Sequence, residues 1–323
     1  MRWLAEFAAL SLIVLAGGQP ASATPAAPVQ PVYVLCQDDG ILTVIDSRTD
    51  EIAAKVKLGG KPASFSISPF SGHALVTQPN TGDVNVVDLR QLTVIRTIKV
   101  GGEPFGIAAG PKGHFYVGDW SADRISVVDE SSDVVLKTLP VGRSPAHLAL
   151  SGDGTRLYVA DRESNSVAVV DTTKDKKIRD IPVGRAPFAL ALSADGRRLA
   201  VANVQAATLS IIDTSTLQVL SASATRQMPY GVTFTRDQSR ILVSNQASGS
   251  ISVFDASTHV AHAEIKVGRY PEGVAVTRNG RKAYVANWFS STVSVIDLTT
   301  DTEIKHIKCP DGPRMVLVGP ASG

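Results

Sequence analysis

Short runs of alternating apolar and polar residues recur along this chain at a fixed interval. Residues 283–297 (AYVANWFSSTVSVID) contain two such runs, and a period of two is the pattern of a β-strand. An aspartate closes the second run, and an equivalent aspartate closes the matching run in every copy: Asp46, Asp88, Asp129, Asp171, Asp213, Asp255 and Asp297. Successive members of this series are 41 or 42 residues apart. A β-patterned repeat of this length predicts the blades of a propeller.

Each repeat is interpreted as four strands, A to D, joined by short turns. In the sixth repeat we predict strand A at 272–277, strand B at 282–287, strand C at 292–297 and strand D at 303–309. The A–B turns contain Asp or Asn and Gly, which suit a tight hairpin. Several D strands end in Val-Gly, with a proline three residues after the glycine that begins the next strand A, as in 267–271 (VGRYP).

The two ends of the chain complement each other. Residues 314–318 match strand A only, whereas 32–36, 41–46 and 51–58 match strands B, C and D. We therefore predict an all-β protein, a seven-bladed β-propeller of four-stranded antiparallel blades. Its last blade would be a clasp made of one C-terminal strand and three N-terminal strands, which leaves no open sheet edge between the chain ends.

The chain is expected to contain one folded domain, preceded by a leader. Residues 1–23 have the pattern of a signal peptide, with Arg2 before a short apolar core and Ala-Ser-Ala at 21–23. Residues 24–31 would be an extended linker and 32–323 the propeller. This predicts a periplasmic or secreted protein, and no later segment is long and apolar enough to span a membrane. The net charge of +2 gives nucleic-acid binding little support.

The repeats resemble the YVTN family of β-propeller proteins. The similarity lies in 284–287 (YVAN), 293–297 (VSVID) and 267–271 (VGRYP), and it extends over essentially all of 32–323. The resemblance implies a seven-bladed propeller in an exported protein, but no single activity. Similar propellers serve as binding or surface proteins and as subunits of periplasmic quinoprotein amine dehydrogenases.

Positions at which the repeats differ are better candidates for function than positions they share. We interpret the shared aspartates as caps of the C–D turns. The residue after each strand-A proline should ring the central mouth: Ala63, Phe105, Ala146, Phe188, Tyr230, Glu272 and Arg314. Two places before the proline, three of the repeats have an arginine: Arg143, Arg185 and Arg269. Arginines beside aromatic rings suit anionic or aromatic ligands and protein partners. The alternative is a solvated surface on which Glu272 and Arg314 form a weak ion pair.

Three further side chains are candidates for this site. Trp120 and Trp288 follow the ends of two B strands on the predicted mouth face, where they would bind a partner or cover the blades. His147 should approach the channel, as a packed side chain or as a ligand or base. The histidines show no metal-ligand spacing, and no haem-attachment motif is present, so the sequence predicts neither a metal nor a cofactor.

The cysteines, Cys36 and Cys309, fall at the ends of strand B of the clasp and strand D of the sixth repeat. Both strands should run toward the same face, where a disulfide would latch the chain ends. Such a bond would be worth on the order of 5 kcal/mol on a chain-entropy argument, less what the clasp already provides. Otherwise each cysteine is a buried thiol.

The sequence favours a non-catalytic binding or assembly module that acts through the propeller mouth. Its partner would be a protein or a small anionic or aromatic ligand, and the protein would be a monomer outside a redox complex. One alternative is a propeller subunit of a periplasmic quinoprotein-type redox enzyme whose cofactor another chain holds. The other is a lactonase or lyase with His147 or Glu272 transferring protons, although these two groups make a poor acid–base set.

Overall fold

The computed structural model describes residues 30–320, which form seven four-stranded antiparallel sheets. Each sheet is one blade, and the innermost strands of successive blades pack against each other in a ring. The predicted fold class, including the clasp, is confirmed.

The strands are numbered β1 to β28 in chain order, and the blades are numbered from the first complete repeat. Blade 1 contains β4 (Phe65–Ile67), β5 (Ala74–Gln78), β6 (Asp83–Asp88) and β7 (Thr93–Lys99). Blade 2 contains β8 (Pro104–Ala109), β9 (His114–Asp119), β10 (Arg124–Asp129) and β11 (Val134–Pro140). Blade 3 contains β12 (Pro145–Leu150), β13 (Arg156–Asp161), β14 (Ser166–Asp171) and β15 (Lys176–Pro182).

Blades 4 to 6 continue the same order. Blade 4 contains β16 (Pro187–Leu192), β17 (Arg198–Asn203), β18 (Thr208–Asp213) and β19 (Gln218–Ala224). Blade 5 contains β20 (Pro229–Phe234), β21 (Arg240–Asn245), β22 (Ser250–Asp255) and β23 (Ala261–Lys266). Blade 6 contains β24 (Pro271–Val276), β25 (Lys282–Asn287), β26 (Thr292–Asp297) and β27 (Thr302–Lys308). Single 3-10 turns, Arg162–Ser164 and Trp288–Ser290, follow β13 and β25.

Blade 7 joins the two ends of the described chain. It places β28 (Pro313–Val318) beside β1 (Pro31–Cys36), followed by β2 (Ile41–Asp46) and β3 (Glu51–Lys57). The antiparallel register pairs Val32 with Val318 and Val34 with Val316. The Ser64 hydroxyl of the chain before β4 lies 3.3 Å from the Met315 sulfur of β28, so blade 1 also contacts the C-terminal strand. The C-terminal strand β28 therefore closes the ring in two ways, by pairing with β1 inside blade 7 and by contacting blade 1.

The core consists of apolar layers between neighbouring blades. In one layer, Leu242 and Ile251 of blade 5 cluster with Val274, Ala283 and Val285 of blade 6, all of them buried. Strands B and C are buried on both faces, which explains their nearly continuous apolar character, whereas the outermost D strands alternate between exposed and partly buried residues.

The repeated aspartates cap the C–D turns, as the sequence predicts. Asp129 Oδ1 accepts from the backbone N–H groups of Ser131 and Ser132 at 3.0 and 2.8 Å. Asp255 makes the same pair of bonds with Ser257 and Thr258, at 2.9 and 2.7 Å. The hydrogen bonds, led by that from the Ser131 hydroxyl, lower the pKa of Asp129 to about 2. These carboxylates lie on the face that carries the C–D turns and the A–B turns, hereafter the lower face, and their role is structural.

Both cysteines are free, buried thiols in one core cluster at the junction of blades 6 and 7. Their side chains interact, since contact with Cys309 lowers the pKa of Cys36. Oxidation remains a prediction. If the protein is exported, we expect its intact mass to fall short of the reduced chain by the two thiol hydrogens, with the difference removed by reductant. The mass of the reduced chain plus two blocking groups, in protein isolated with a thiol-alkylating reagent, would contradict the latch.

Candidate functional site

The candidate site is the central mouth on the upper face, the face that carries the D–A and B–C connections. Each strand A begins at this face, at a proline or, in blade 1, three residues after one, and the residue following the proline lies near the axis. The structure brings the predicted ring together, because six of its seven members line one central cavity: Ala63, Phe105, Ala146, Phe188, Tyr230 and Arg314. Glu272 lies just behind them.

Aromatic rings from blades 2, 4 and 5 meet across the mouth. The ring centroids of Phe188 and Tyr230 are 4.0 Å apart in a stacked arrangement, and Phe105 meets Phe188 edge-on at 5.9 Å. Trp120, which directly follows β9, packs on Phe105 at 4.7 Å. The small Ala63 and Ala146 on blades 1 and 3 leave room for these rings. The result is an aromatic cluster that narrows the upper end of the channel.

Arg314 extends from blade 7 into this cluster. Its guanidinium carbon lies 5.3 Å from the centroid of Phe105 and 5.2 Å from that of Trp288, distances at which a cation is attracted to a ring face. One terminal nitrogen donates to the Tyr230 hydroxyl at 2.6 Å. The side chain is only 11% exposed. Arg314 therefore connects blades 2, 5, 6 and 7.

Glu272 is the counter-charge of Arg314. Its Oε2 lies 3.5 Å from Arg314 Nε, and its Oε1 accepts from Gln246 Nε2 at 2.8 Å. The glutamate side chain is only 4% exposed, so the weak surface ion pair considered from the sequence is in fact a buried one. Burial raises the pKa of Glu272 to about 7, although Arg314 and the Gln246 hydrogen bond act in the opposite direction.

Glycines allow the inner strands to approach each other below the mouth. A Cβ on Gly231 would overlap the carbonyl oxygen of Glu272 in the next blade. A Cβ on Gly273 would stand 2.7 Å from the backbone nitrogen of Val316, closer than side chains tolerate. These glycines thus bring strands β20, β24 and β28 together and fix where Tyr230, Glu272 and Arg314 project.

His147 of blade 3 occupies the position at which blades 2, 5 and 6 have Gly106, Gly231 and Gly273. Its Nδ1 accepts a hydrogen bond from the backbone N–H of Leu190 in blade 4, at 3.3 Å. Burial lowers the pKa of His147 to about 4, so the ring is neutral at physiological pH with its proton on Nε2. The side chain lines the cavity, but its acceptor nitrogen is used in packing the blades together.

The cavity below the mouth follows the channel along strands A. Its volume is about 380 Å³, and most of its wall is apolar, including Leu190, Val232, Val274 and Val316. This volume lies within the usual range of small-molecule sites, roughly 300 to 1,000 Å³. His147, Tyr230 and Arg314 are the ionisable side chains on its wall within residues 30–320, and no carboxylate lines it.

The three arginines two places before the proline are not part of this wall. Arg143, Arg185 and Arg269 are exposed on the upper rim. Arg143 donates to the carbonyl of Glu163 at 2.6 Å and Arg269 to that of Phe289 at 2.9 Å, so both are tethered to the neighbouring B–C connections. The predicted set is therefore divided between a buried mouth cluster and an exposed arginine rim.

The predicted tryptophans fill the mouth cluster rather than the rim. Trp120 and Trp288 are half-buried against Phe105 and Arg314. Phe289, the neighbour of Trp288, is exposed instead: it is 59% exposed and packs on Tyr270 with ring centroids 4.6 Å apart. The tryptophans thus cover the blades around Arg314, which the sequence left as one of two possibilities.

Sequence reasoning missed Gln246, the partner of Glu272. Gln246 follows the end of strand B in blade 5, the same position that Trp120 and Trp288 occupy in blades 2 and 6. Comparison of this position around the ring would have found it, since the residue there changes from blade to blade: Gln37, Pro79, Trp120, Arg162, Val204, Gln246 and Trp288.

Within residues 30–320, no group of three or more His, Cys, Asp or Glu side chains is arranged to hold a metal ion. None of the helical turns in this range has the length and apolar character needed to cross a membrane.

A family model described as YNCE-like beta-propeller matches residues 2–194 and 188–280. The YVTN-type repeats are consistent with that match. No curated protein matches the chain.

Solved structures with the same fold include proteins of different kinds. Hydrazine synthase of Kuenenia stuttgartiensis is 21% identical with a TM-score of 0.70, over 79% of this chain and 88% of that chain. A functionally unknown protein from Desulfotomaculum acetoxidans is 14% identical with a TM-score of 0.79, over 90% and 99%. The dihydro-heme d1 dehydrogenase NirN, in complex with DHE, is 16% identical with a TM-score of 0.71, over 94% and 78%. At such identities the likeness concerns the fold alone. The family match covers most of the sequence, and the chain belongs to the YNCE-like β-propeller family.

Proposed function

We propose that this protein is an exported, non-catalytic binding module whose upper face, centred on the mouth, engages its partner. The observation that carries the proposal is the contrast between the two faces. On the lower face the C–D turns repeat the same aspartate cap from blade to blade. On the upper face the blades differ, and the differing residues are large aromatic and charged side chains that contact one another across the axis.

The upper face combines features common at protein interfaces. The exposed Arg143, Arg185 and Arg269 surround the mouth, and the exposed Phe289 stands among them on a packed aromatic neighbour. Arginine and aromatic residues are enriched at the centres of such interfaces. The rim arginines would meet an acidic or otherwise anionic surface.

A catalytic role has less support from the same geometry. The His147 ring is neutral and its Nδ1 is occupied, and the buried Glu272 does not line the cavity. A lactonase or lyase would need an acid and a base that both face the substrate.

The proposal is tested by replacing Arg143, Arg185 and Arg269 together by Ala. Native mass spectrometry of tagged protein recovered from its own host should show a complex with the wild-type chain. The amount of that complex should be at least tenfold lower with the triple variant. The matched control is Arg236→Ala with Arg278→Ala, which removes exposed arginines from the A–B turns of the lower face. Equal complex formation by the triple variant and the control would refute the proposal.

A second candidate function is a propeller subunit of a periplasmic redox enzyme whose cofactor lies on another chain. It is favoured by two of the similar structures, whose names are those of a hydrazine synthase and a dihydro-heme d1 dehydrogenase. The same mass spectrometry separates the two candidates, because a partner whose mass includes a bound haem or quinone would identify the redox assembly.

A further inference from the structure

Arg314 has more hydrogen-bonding capacity than the protein uses. A guanidinium is a fork of several N–H donors, and one of these has a hydrogen-bond partner among residues 30–320, the Tyr230 hydroxyl. The 3.5 Å separation from Glu272 is longer than the roughly 2.7 to 2.9 Å of a charge-assisted hydrogen bond. The side chain is 11% exposed, so its unpaired N–H donors keep some access to solvent and are available to a ligand.

The cavity offers a place for the missing acceptor. Arg314 is part of its wall, as are the Tyr230 and His147 side chains. His147 presents its protonated Nε2, because its Nδ1 accepts from Leu190. The wall therefore carries a cation and neutral donors, and the one carboxylate described beside Arg314, that of Glu272, lies behind the wall, 3.5 Å from Arg314 Nε.

The remainder of the wall is apolar, with Val232, Val274 and Val276 along the channel and Phe188 at its upper end. Such a wall would desolvate an apolar body and would reject an inorganic anion that requires hydration on all sides. The stacked rings fix the position of Arg314, so little entropy would be lost when an acceptor binds.

We propose that the channel binds a small carboxylic acid with an apolar body, whose carboxylate meets Arg314 and whose body lies among the inner strands. This inference rests on the proposed function, since it treats the mouth as a binding site, and it adds the chemical class of a small ligand. The cavity volume of about 380 Å³ limits that ligand to the small end of the usual range.

The test is isothermal titration calorimetry on the full mature chain with hexanoate, phenylacetate and indole-3-acetate, each beside its neutral amide. We expect at least one carboxylate to bind with a Kd below about 1 mM and at least about tenfold more tightly than its amide, a difference of about 1.4 kcal/mol. Arg314→Met should abolish that preference.

A second variant keeps the test decisive if Arg314→Met is poorly folded. Thr233→Phe fills the channel from its wall and leaves the guanidinium in place, so it should weaken binding at least tenfold. Arg236→Met, on the lower face, should bind as the wild type does. Absence of binding by every carboxylate, equal binding of acids and amides, or full binding by Thr233→Phe would overturn the inference.

Failure of this inference can be told apart from failure of the proposed function. If no carboxylate probe binds but the partner complex still forms and still depends on the rim arginines, the carboxylate site is refuted and the proposed binding module stands. A complex that does not depend on the arginine rim, together with carboxylate binding at Arg314, would overturn the rim-centred proposal and support the channel site alone.

Discussion

Arg314→Met is expected to lower the free energy of unfolding by about 3 to 5 kcal/mol at pH 8, the usual cost of leaving one member of a buried ion pair alone. The variant keeps a side chain of similar length among Phe105 and Trp288 but leaves Glu272 without its counter-charge. Urea unfolding monitored by tryptophan fluorescence measures the loss, since Trp288 lies beside the substituted residue.

The loss should be smaller at pH 5. The pKa of Glu272 is already about 7 beside Arg314, and removal of the cation raises it further. At pH 5 the glutamate is protonated in both proteins, so the variant loses packing and cation–π contacts but does not bury a lone charge. The difference between pH 5 and pH 8 therefore reports the electrostatic part of the cost.

A double-mutant cycle isolates this explanation. Glu272→Gln should recover the pH-dependent part of the loss in the Arg314→Met background, because glutamine is neutral and can still accept from Gln246. The Glu272 pKa of about 7 limits that part to about 1.4 kcal/mol at pH 8. The matched control is Arg226→Met, which breaks an exposed pair with Glu264 and should cost less than about 1 kcal/mol. An equal loss at both pH values, with no recovery by Glu272→Gln, would contradict the charge argument.

Asp161→Asn is expected to stabilise the protein, by on the order of 3 to 4 kcal/mol at pH 8. Asp161 is fully buried, and neither carboxylate oxygen has a hydrogen-bond partner among the described residues. Burial raises its pKa from an ordinary 3.8 to about 7, and the nearby Gly142 N–H, which does not reach hydrogen-bond geometry, offsets only part of this. That shift of roughly 3 pH units, at 1.36 kcal/mol each, sets the magnitude at pH 8.

The direction of the pH dependence follows from proton binding. Between about pH 4 and pH 7 the folded protein keeps a proton on Asp161 that the unfolded chain has released, so stability falls as pH rises through this window. The gain from Asp161→Asn should therefore be near zero at pH 4 and complete above pH 7. Melting temperatures and urea midpoints at pH 4, 6 and 8 measure it.

Other blades show why asparagine fits this position. Asn203, at the same place in blade 4, donates to the hydroxyls of Thr208 and Ser210 at 3.0 and 2.9 Å. In blade 3 the second hydroxyl is missing, because Ala168 stands where blade 4 has Ser210. The control is Asp119→Asn, which breaks a 3.1 Å pair with Arg124 and should not stabilise. A loss of stability in Asp161→Asn, or a gain that does not vary with pH, would contradict the prediction.

Much of this architecture could be predicted because the repeat fixes it many times over. The bounds predicted for β25 and β26 agree with the structure, and the strand-A proline located the residues that meet at the mouth. Each of these inferences uses a spacing along the chain that recurs in seven repeats, so an irregularity in one repeat does not mislead the prediction.

The pairwise contacts across the axis could not be predicted in the same way. Whether Arg314 reaches Phe105 depends on the small Ala63 and Ala146 and on how closely the glycines bring the inner strands together. The rim arginines have the same spacing as one another, yet their distance from the axis is set by backbone carbonyls such as that of Glu163. Sequence spacing gives the blade and the height of a residue, but not the neighbour it meets.

The shared blade 7 has a consequence for the order in which the protein can be made. The strand β1 is synthesised early, but its inner partner β28 comes last in the described chain. Until β28 is synthesised, β1 has no partner on its inner edge, and the ring is open between blades 6 and 1. Blades 1 to 6 are each complete once their own strands exist, so they can form as the chain grows. Ring closure thus waits for synthesis of β28, and a chain interrupted before residue 313 would keep an unpaired edge that could capture β28 of another copy.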